Sequence, residues 1–367
     1  MKLTSRLKIK IGIVLEPDKT KIFNNGNYQN AILLKKILES NKRFKIFNVA
    51  PANVLEKTPN KNFITFKQTI QKKIDLLICV TATPVGPLYE KINKAGIKIV
   101  SVCYGNTYAS QVSELFGLSP KNKLFNENNE EVFIWTSPHY TEQVELMQVQ
   151  RGTKHKVEIC PYVWSPIFIN QKIDKNKFYE NHKFKRSVAV YEPNINYTKT
   201  LICPAFAIKN YVLNNNLYDG QRFYFYAINK QKTPEPVIMD FFNSMPKEMV
   251  GRTTLEKRKP IREILTNSAV SLLHQKDNSL NYTTLECLYL GLPVVHNSEH
   301  IEAGYRYEGF GVIKASEQLS LAVEHDKQDL KKYEEKAKEE IYKYSVNNKK
   351  NVEGYFELVT KVMDTKL

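Results

Sequence analysis

Long apolar runs are missing from this 367-residue chain: none approaches the ~18–20 residues a membrane-spanning helix needs, so integral membrane contact is not expected. Cysteine is sparse. Cys79, Cys103, Cys160, Cys203 and Cys287 are odd in number, widely scattered and form no Cys-x-x-Cys pair. That pattern argues against a disulfide framework or a zinc site and fits a reducing cytoplasm. The basic start, Met1 to Lys10, leads into an alternating strand rather than an apolar signal core, so export is not expected and a cytoplasmic location is. Arginine is scarce as well, 9 residues against 45 lysines, which speaks against sequence-specific reading of DNA bases. Four chemical signatures are lacking: Gly-x-Gly-x-x-Gly, the P-loop, Gly-x-Ser-x-Gly and Asp-x-Asp. Dinucleotide oxidoreductases, P-loop NTPases and α/β-hydrolases lose their support, as does a diphosphate clamped through a metal by paired aspartates.

What is present begins with charge. The net charge is +16, and residues 1–100 hold 19 Lys/Arg against 6 Asp/Glu, leaving only about +3 for the remaining 267 residues. A surplus confined to one end suggests an acidic partner for that end, and equally suits plain solubility. Hydrophobic residues at 42% supply core material for two α/β domains.

Strands are expected at Lys8–Leu15, Phe44–Val49, Ile74–Val80, Gly96–Cys103, Val132–Thr136 and Val157–Cys160, with polar loops and helical periodicity between them. Residues 167–186 are charged and weakly periodic, the best linker. A second alternation follows: strands at Ser187–Tyr191, Phe223–Ile228, Ala269–Leu273, Pro293–His296 and Gly309–Lys314, and helices from about Leu201, at Pro234–Met245, Leu255–Leu265 and Tyr282–Leu290. The expected architecture is therefore α/β: doubly wound, Rossmann-like domains over 1–166 and 187–326, then closing helices over 327–367 that pack back on the first domain. In such sheets ligands bind beyond the carboxyl ends of the strands, where helix N-termini stabilise anions.

The informative stretch is His274–Ser298, HQKDNSLNYTTLECLYLGLPVVHNS. It resembles the donor-binding segment of glycosyltransferases with the two-domain GT-B fold, of the glycogen-synthase-like type, in which a loop followed by "LEAxAxGxPVV" holds the nucleotide-sugar. The resemblance puts Glu286 where that family's glutamate accepts hydrogen bonds from ribose hydroxyls, and a carboxylate offers two acceptor oxygens to a vicinal diol. The family often has another glutamate eight residues earlier, where this chain has Asn278. A buried helix with an incidental glutamate is the plain alternative. The loop Tyr191–Lys199 follows the first strand of the second domain, where such folds bind the donor diphosphate. Lys199 fits as a point charge for phosphate, with Glu192 and Asn194 lining the sugar pocket, or is one more surface lysine. A lysine plus a helix dipole would replace a metal, so no metal and no cofactor beyond the co-substrate are expected.

Taken together, Cys160–Ile169, Val188–Ile195, Tyr282–Ser298 and Ala303–Tyr307 resemble a family of GT-B-like proteins from bacteria and phages in which "PY-W-P", "EPNI", "NY", "HNS" and "AGY" recur in this order. T-even-type phage enzymes that glycosylate hydroxymethylcytosine in DNA are a related possibility. The resemblance implies an interdomain cleft, a nucleotide-sugar co-substrate of the UDP type, and a donor pocket that also draws on His274, Gln275, Asn281, Tyr282, His296, Asn297 and Ser298. The acceptor side would use Asn25, Gly26, Tyr104, Gly105 and Tyr108. Glu16, Asp18 and His139 are the candidate bases for an inverting transfer, whereas a retaining one needs none. Three readings of function stay open: transfer to a hydroxymethylpyrimidine of double-stranded phage DNA, transfer to a surface glycan, lipid-linked sugar or protein, and a non-catalytic nucleotide or nucleic-acid binding protein.

Overall fold

A computed structural model of the protein describes residues 8–18, 20, 26–116, 130–170, 186–192, 197–226, 236–257, 259, 263 and 268–366. The chain divides into two compact units, Met1–Ser165 with Tyr344–Leu367, and Pro166–Lys343.

Strands β1 (Ile9–Val14), β2 (Phe44–Ala50), β3 (Phe63–Thr65), β4 (Leu76–Cys79), β5 (Lys98–Cys103), β6 (Val132–Thr136) and β7 (Glu158–Ile159) form the first unit's sheet, in the order β3-β2-β1-β4-β5-β6-β7. Every pairing is parallel. The runs IKIGIV and LLIC are almost continuously apolar because helices cover both faces of a parallel sheet. Helix Lys349–Asp364 belongs to this unit and closes it. Its Tyr355 is fully buried, donates a hydrogen bond to the Pro161 carbonyl at 2.8 Å, and lies 3.0 Å from the Tyr104 hydroxyl. Phe356 packs edge-on against Phe44, and the Lys98 ammonium caps the helix on the carbonyls of Val362, Met363 and Thr365.

The second unit's strands are β8 (Val188–Val190), β9 (Phe223–Tyr226), β10 (Thr253–Glu256), β11 (Val270–Leu272), β12 (Val294–His296) and β13 (Tyr305–Arg306). They run parallel in the order β10-β9-β8-β11-β12-β13. Val188, Val190, Phe223, Phe225, Val270 and Leu272 meet Ile208 of helix Ile202–Asn214 and Leu319 of helix Val312–Val323 in one core. In both sheets the strand order reverses beside the first strand, so each has a crevice at its carboxyl edge, between β1 and β4 and between β8 and β11.

Three expectations are corrected. Leu255 and Glu256 lie in β10, not in a helix, because Thr253 and Thr254 extend the chain alongside β9. Gly309–Lys314 is not a strand: β13 is the shorter Tyr305–Arg306, and Val312 begins a helix that buries Ala315, Leu319, Ala322 and Val323 at helical spacing. The closing segment does not act as one piece, since helix Leu330–Lys343 falls in the second unit and Lys349–Asp364 in the first. Strand β3 and the helices Ala52–Lys57 and Phe66–Gln71 carried no pattern strong enough to read. Among the described residues, no helix is long and apolar enough to cross a membrane.

Candidate functional site

Register places the site. Leu272 of β11 stands opposite Val190 of β8, so the next residues on each strand, Leu273–His274 and Tyr191–Glu192, emerge face to face at the crevice. Glu192 is 1% exposed, and its Oε1 accepts a hydrogen bond from the His274 backbone N–H at 3.0 Å. Burial pushes its carboxyl up to about 7, against the pull of Lys199, the His274 N–H and the Gln275 side chain. The other oxygen, Oε2, has no hydrogen-bond partner among the described residues. A second stitch joins the same two loops, as the Lys276 N–H donates to the Thr198 carbonyl at 3.0 Å, next to Lys199.

His274 is 3% exposed. The Tyr307 hydroxyl donates to the Leu273 carbonyl at 3.1 Å and therefore accepts from His274 Nδ1 at 3.0 Å. That fixes the proton on Nδ1 and leaves Nε2 as a lone pair with no hydrogen-bond partner among the described residues. Burial, then the charge of Lys276, pushes the imidazole down to about 4, so it is neutral at physiological pH. Phe310, 61% exposed, lies against the ring at 5.2 Å.

Glu286 is carried one turn into helix Tyr282–Tyr289, which Asn281 caps by accepting from the Thr283 N–H at 3.0 Å. The carboxylate is half-buried and deep enough that desolvation pushes it up to about 8. Among the described residues, no group donates a hydrogen bond to it. Its charge is felt by Tyr191, at the end of β8, and by Tyr282. Lys199 acts on Glu192 and Glu286 on the adjoining Tyr191, so lysine and carboxylate serve one edge of one sheet.

Other expected donor residues make hydrogen bonds within the second unit. His296 is buried with both ring nitrogens used, Nε2 donating to the Ala303 carbonyl at 2.8 Å and Nδ1 accepting from the Ser298 N–H at 3.2 Å. Gly304, at φ +103°, makes room for that ring, since a Cβ there would lie 3.0 Å from Nε2. Asn297 brackets the Gln275 backbone, accepting from its N–H at 2.9 Å and donating to its carbonyl at 3.0 Å. Asn278 donates to the Gln275 side chain, and the Ser298 hydroxyl to the Ser279 carbonyl. Gly291, at φ +71°, is the left-handed residue that ends the Glu286 helix. Asn194 lies outside the described residues. Tyr191, Tyr307 and Phe310 were not foreseen, because a lone aromatic after a strand carries no sequence signal.

In the first unit, Glu16 follows β1 and Tyr104, Gly105 and Tyr108 follow β5, while His139 follows β6 and Gly26 opens the helix after β1. All share the carboxyl edge. Glu16 raises the Tyr28 hydroxyl by charge and hydrogen bonding, after burial. Asp18 accepts from the Thr20 N–H at 2.9 Å and its hydroxyl at 2.6 Å, an Asx turn. The His139 ring lies tilted against Tyr140, with centroids 3.9 Å apart. Tyr104 is committed to Tyr355, while Tyr108 is exposed. Asn25 lies outside the described residues. Among those residues, no three His, Cys, Asp or Glu side chains are grouped as metal ligands.

Two all-parallel sheets in tandem, each with a switch point beside its first strand, are the two Rossmann-like domains of the GT-B fold. The chain belongs to the family described as "Protein of unknown function (DUF2827)", whose model matches residues 9–359. No curated protein matches it by sequence. Among solved structures it is similar to a glycosyltransferase from Rickettsia africae, with TM-score 0.59 and 10% identity over 98% of this chain and 100% of that one. It is similar to HepE of Anabaena, solved with UDP-glucose, with TM-score 0.55 and 11% identity over 96% and 99% of the two chains. It is also similar to WaaG, a glycosyltransferase of lipopolysaccharide biosynthesis, with TM-score 0.53 and 10% identity over 97% and 100%.

Proposed function

We propose that this protein is a glycosyltransferase that takes its sugar from a nucleotide-sugar bound at the carboxyl edge of the second sheet. The carrying observation is a pair of buried polar atoms with no hydrogen-bond partner among the described residues, Glu192 Oε2 and His274 Nε2, at the β8/β11 switch point. Buried polar atoms of this kind are satisfied by a ligand rich in hydroxyls, which donate and accept, and a sugar is such a ligand. Glu286 accepts from the ribose diol. Lys199, three residues before helix Ile202–Asn214, meets the diphosphate together with that helix's N-terminus, in place of a metal. Phe310 offers a flat apolar face to the base or the sugar.

The acceptor hydroxyl attacks the anomeric carbon as the bond to the diphosphate breaks, and the nucleotide departs with the electron pair. In an inverting transfer Glu16 takes the hydroxyl proton; in a retaining one the departing phosphate does. Uridine donors come first in the trial because the Anabaena neighbour was solved with UDP-glucose. The acceptor reading of hydroxymethylated phage DNA rested on the basic surplus of residues 1–100. Six of the 19 basic residues of that stretch, Lys8, Lys42, Arg43, Lys45, Lys72 and Lys73, lie at the amino ends of the first sheet's strands, away from its carboxyl-edge loops, so the surplus does not by itself mark the acceptor.

The test is a thermal-shift and calorimetric panel of nucleotide-sugars on the wild type and Glu286→Ala. One nucleotide-sugar is expected to stabilise the wild type by mass action. Loss of the ribose contacts should weaken it by about 1.5–3 kcal/mol in the variant. Sugar release from that donor should persist in a chelator. No binding by any donor, or equal binding by both proteins, overturns the reading.

A further inference from the structure

Tyr307 ties together the last three strands of the second sheet at the candidate site. Its backbone carries the pairing of β13 with β12 one step beyond the His296–Arg306 pair, since the Tyr307 N–H donates to the His296 carbonyl at 3.0 Å. From there the side chain reaches past β12 to the end of β11. Its hydroxyl donates to the Leu273 carbonyl at 3.1 Å and meets His274 Nδ1 at 3.0 Å. The hydroxyl has one proton and the carbonyl can only accept, so the imidazole must supply the proton of the second bond. Burial holds the Tyr307 phenol well above its ordinary range, so it stays a donor. Tyr307 is 2% exposed, and the two rings lie within 18° of parallel with centroids 6.1 Å apart, so close packing holds both in place. His296, at the end of the neighbouring strand, has a backbone partner for each ring nitrogen. His274 differs: its Nε2 has no hydrogen-bond partner among the described residues. A buried acceptor left without a donor is destabilising, and its retention points to a ligand.

We propose that Tyr307 is a positioning residue: it fixes His274 as the Nδ1–H tautomer, so that Nε2 accepts a hydrogen bond from a hydroxyl of the sugar being transferred. The assignment rests on the nucleotide-sugar reading of the second unit and adds which part of the donor the histidine reads. A bridging diphosphate carries only acceptor oxygens, which the lone pair on Nε2 repels. The ribose diol is matched to Glu286, on a separate element, helix Tyr282–Tyr289. Sugar hydroxyls are the remaining abundant donors, with an N–H of the base as the competing one. Burial and the charge of Lys276 keep the imidazole unprotonated, so the acceptor persists at neutral pH. A sugar that lacks this hydroxyl, or carries it acylated, leaves Nε2 unpaired and is rejected.

The test compares the wild type with Tyr307→Phe, His274→Asn and His274→Gln as full chains. Nitrogen NMR reads the tautomer without any donor: the wild type should carry its proton on Nδ1, and Tyr307→Phe should show a mixture of both tautomers. Calorimetry then sets UDP-glucose, UDP-galactose, UDP-N-acetylglucosamine and GDP-mannose against UDP and GDP alone. For the nucleotide-sugar that the wild type binds, Tyr307→Phe and His274→Asn should each weaken binding about tenfold or more. Their affinity for the matching nucleotide without its sugar should not change. Asparagine keeps a donor for Tyr307 in the Nδ1 position but has nothing at Nε2, whereas glutamine places a carbonyl there and should recover part of the loss. A merely structural Tyr307 would weaken nucleotide and nucleotide-sugar alike. That result, an Nε2-protonated wild type, or undiminished nucleotide-sugar binding by His274→Asn would overturn the inference while the nucleotide-sugar reading stands. No binding of any donor by the wild type overturns that reading and the inference with it.

Discussion

Glu192 is held by burial in the protonated range that a surface glutamate leaves far below neutrality, and this has a measurable consequence. Its folded pKa, about 7, is raised above the ordinary 4.5, so the folded form favours the neutral acid. The associated stability is present in full below the unfolded value and is lost as pH rises through the folded one. Glu192→Gln keeps an acceptor for the His274 N–H and removes the buried ionisation. The variant should match the wild type near about pH 5 and exceed it by about 3 kcal/mol at about pH 8, as followed by thermal or denaturant melts. It should bind a nucleotide-sugar more weakly at either pH. For Glu286, raised to about 8 by burial, the ionised form is the better acceptor for a diol. Donor affinity measured by calorimetry should therefore rise between about pH 6 and about pH 8.

Short helices and turns aim these side chains, and here the recurring motif residues find their use. Asn281 caps the helix that carries Glu286, so Asn281→Ala should cost about 1 kcal/mol in a denaturant melt and also loosen donor binding. The His-Asn-Ser and Ala-Gly-Tyr segments lock the loop after β12 through His296 and the space Gly304 leaves for it. The segment after Cys160 receives the returning chain, with the Trp164 N–H donating to the Tyr344 carbonyl at 2.7 Å. Most residues that define the family resemblance therefore build the frame, and a smaller set, Glu192, His274 and Glu286, lies at the β8/β11 crevice of the proposed site. Sequence spacing could not separate the two groups, because capping, packing and binding use the same polar residue types. The long buried strands were legible as apolar runs. Strands β3, β10 and β13 were not, because they are only partly buried and carry no apolar run, whereas the equally short β8, β11 and β12 are buried throughout.

At the scale of the whole molecule the chain crosses between its units twice, after Ser165 and before Tyr344. The first unit's core is completed by residues from the far end of the sequence, with Tyr355 fully buried and 6.3 Å from Trp135. Tyr355→Ala should cost about 3–5 kcal/mol, and calorimetry should show the loss in the melting of the first unit while the second holds. A uniform loss across both units would contradict this division.

Composition and apolar patterning were enough to settle the α/β class and the two Rossmann-like domains, and one helix with its preceding loop pointed to the second sheet's carboxyl edge as the place to look for a donor site. These features are local, and local periodicity and turn chemistry write them. Which polar atoms remain unsatisfied, which histidine is pinned and which is open, and on which edge the lysines gather were decided only by the packed fold. Each depends on residues distant in sequence meeting across a parallel sheet, where desolvation and hydrogen-bond partnership are set by the neighbours rather than by the residue itself.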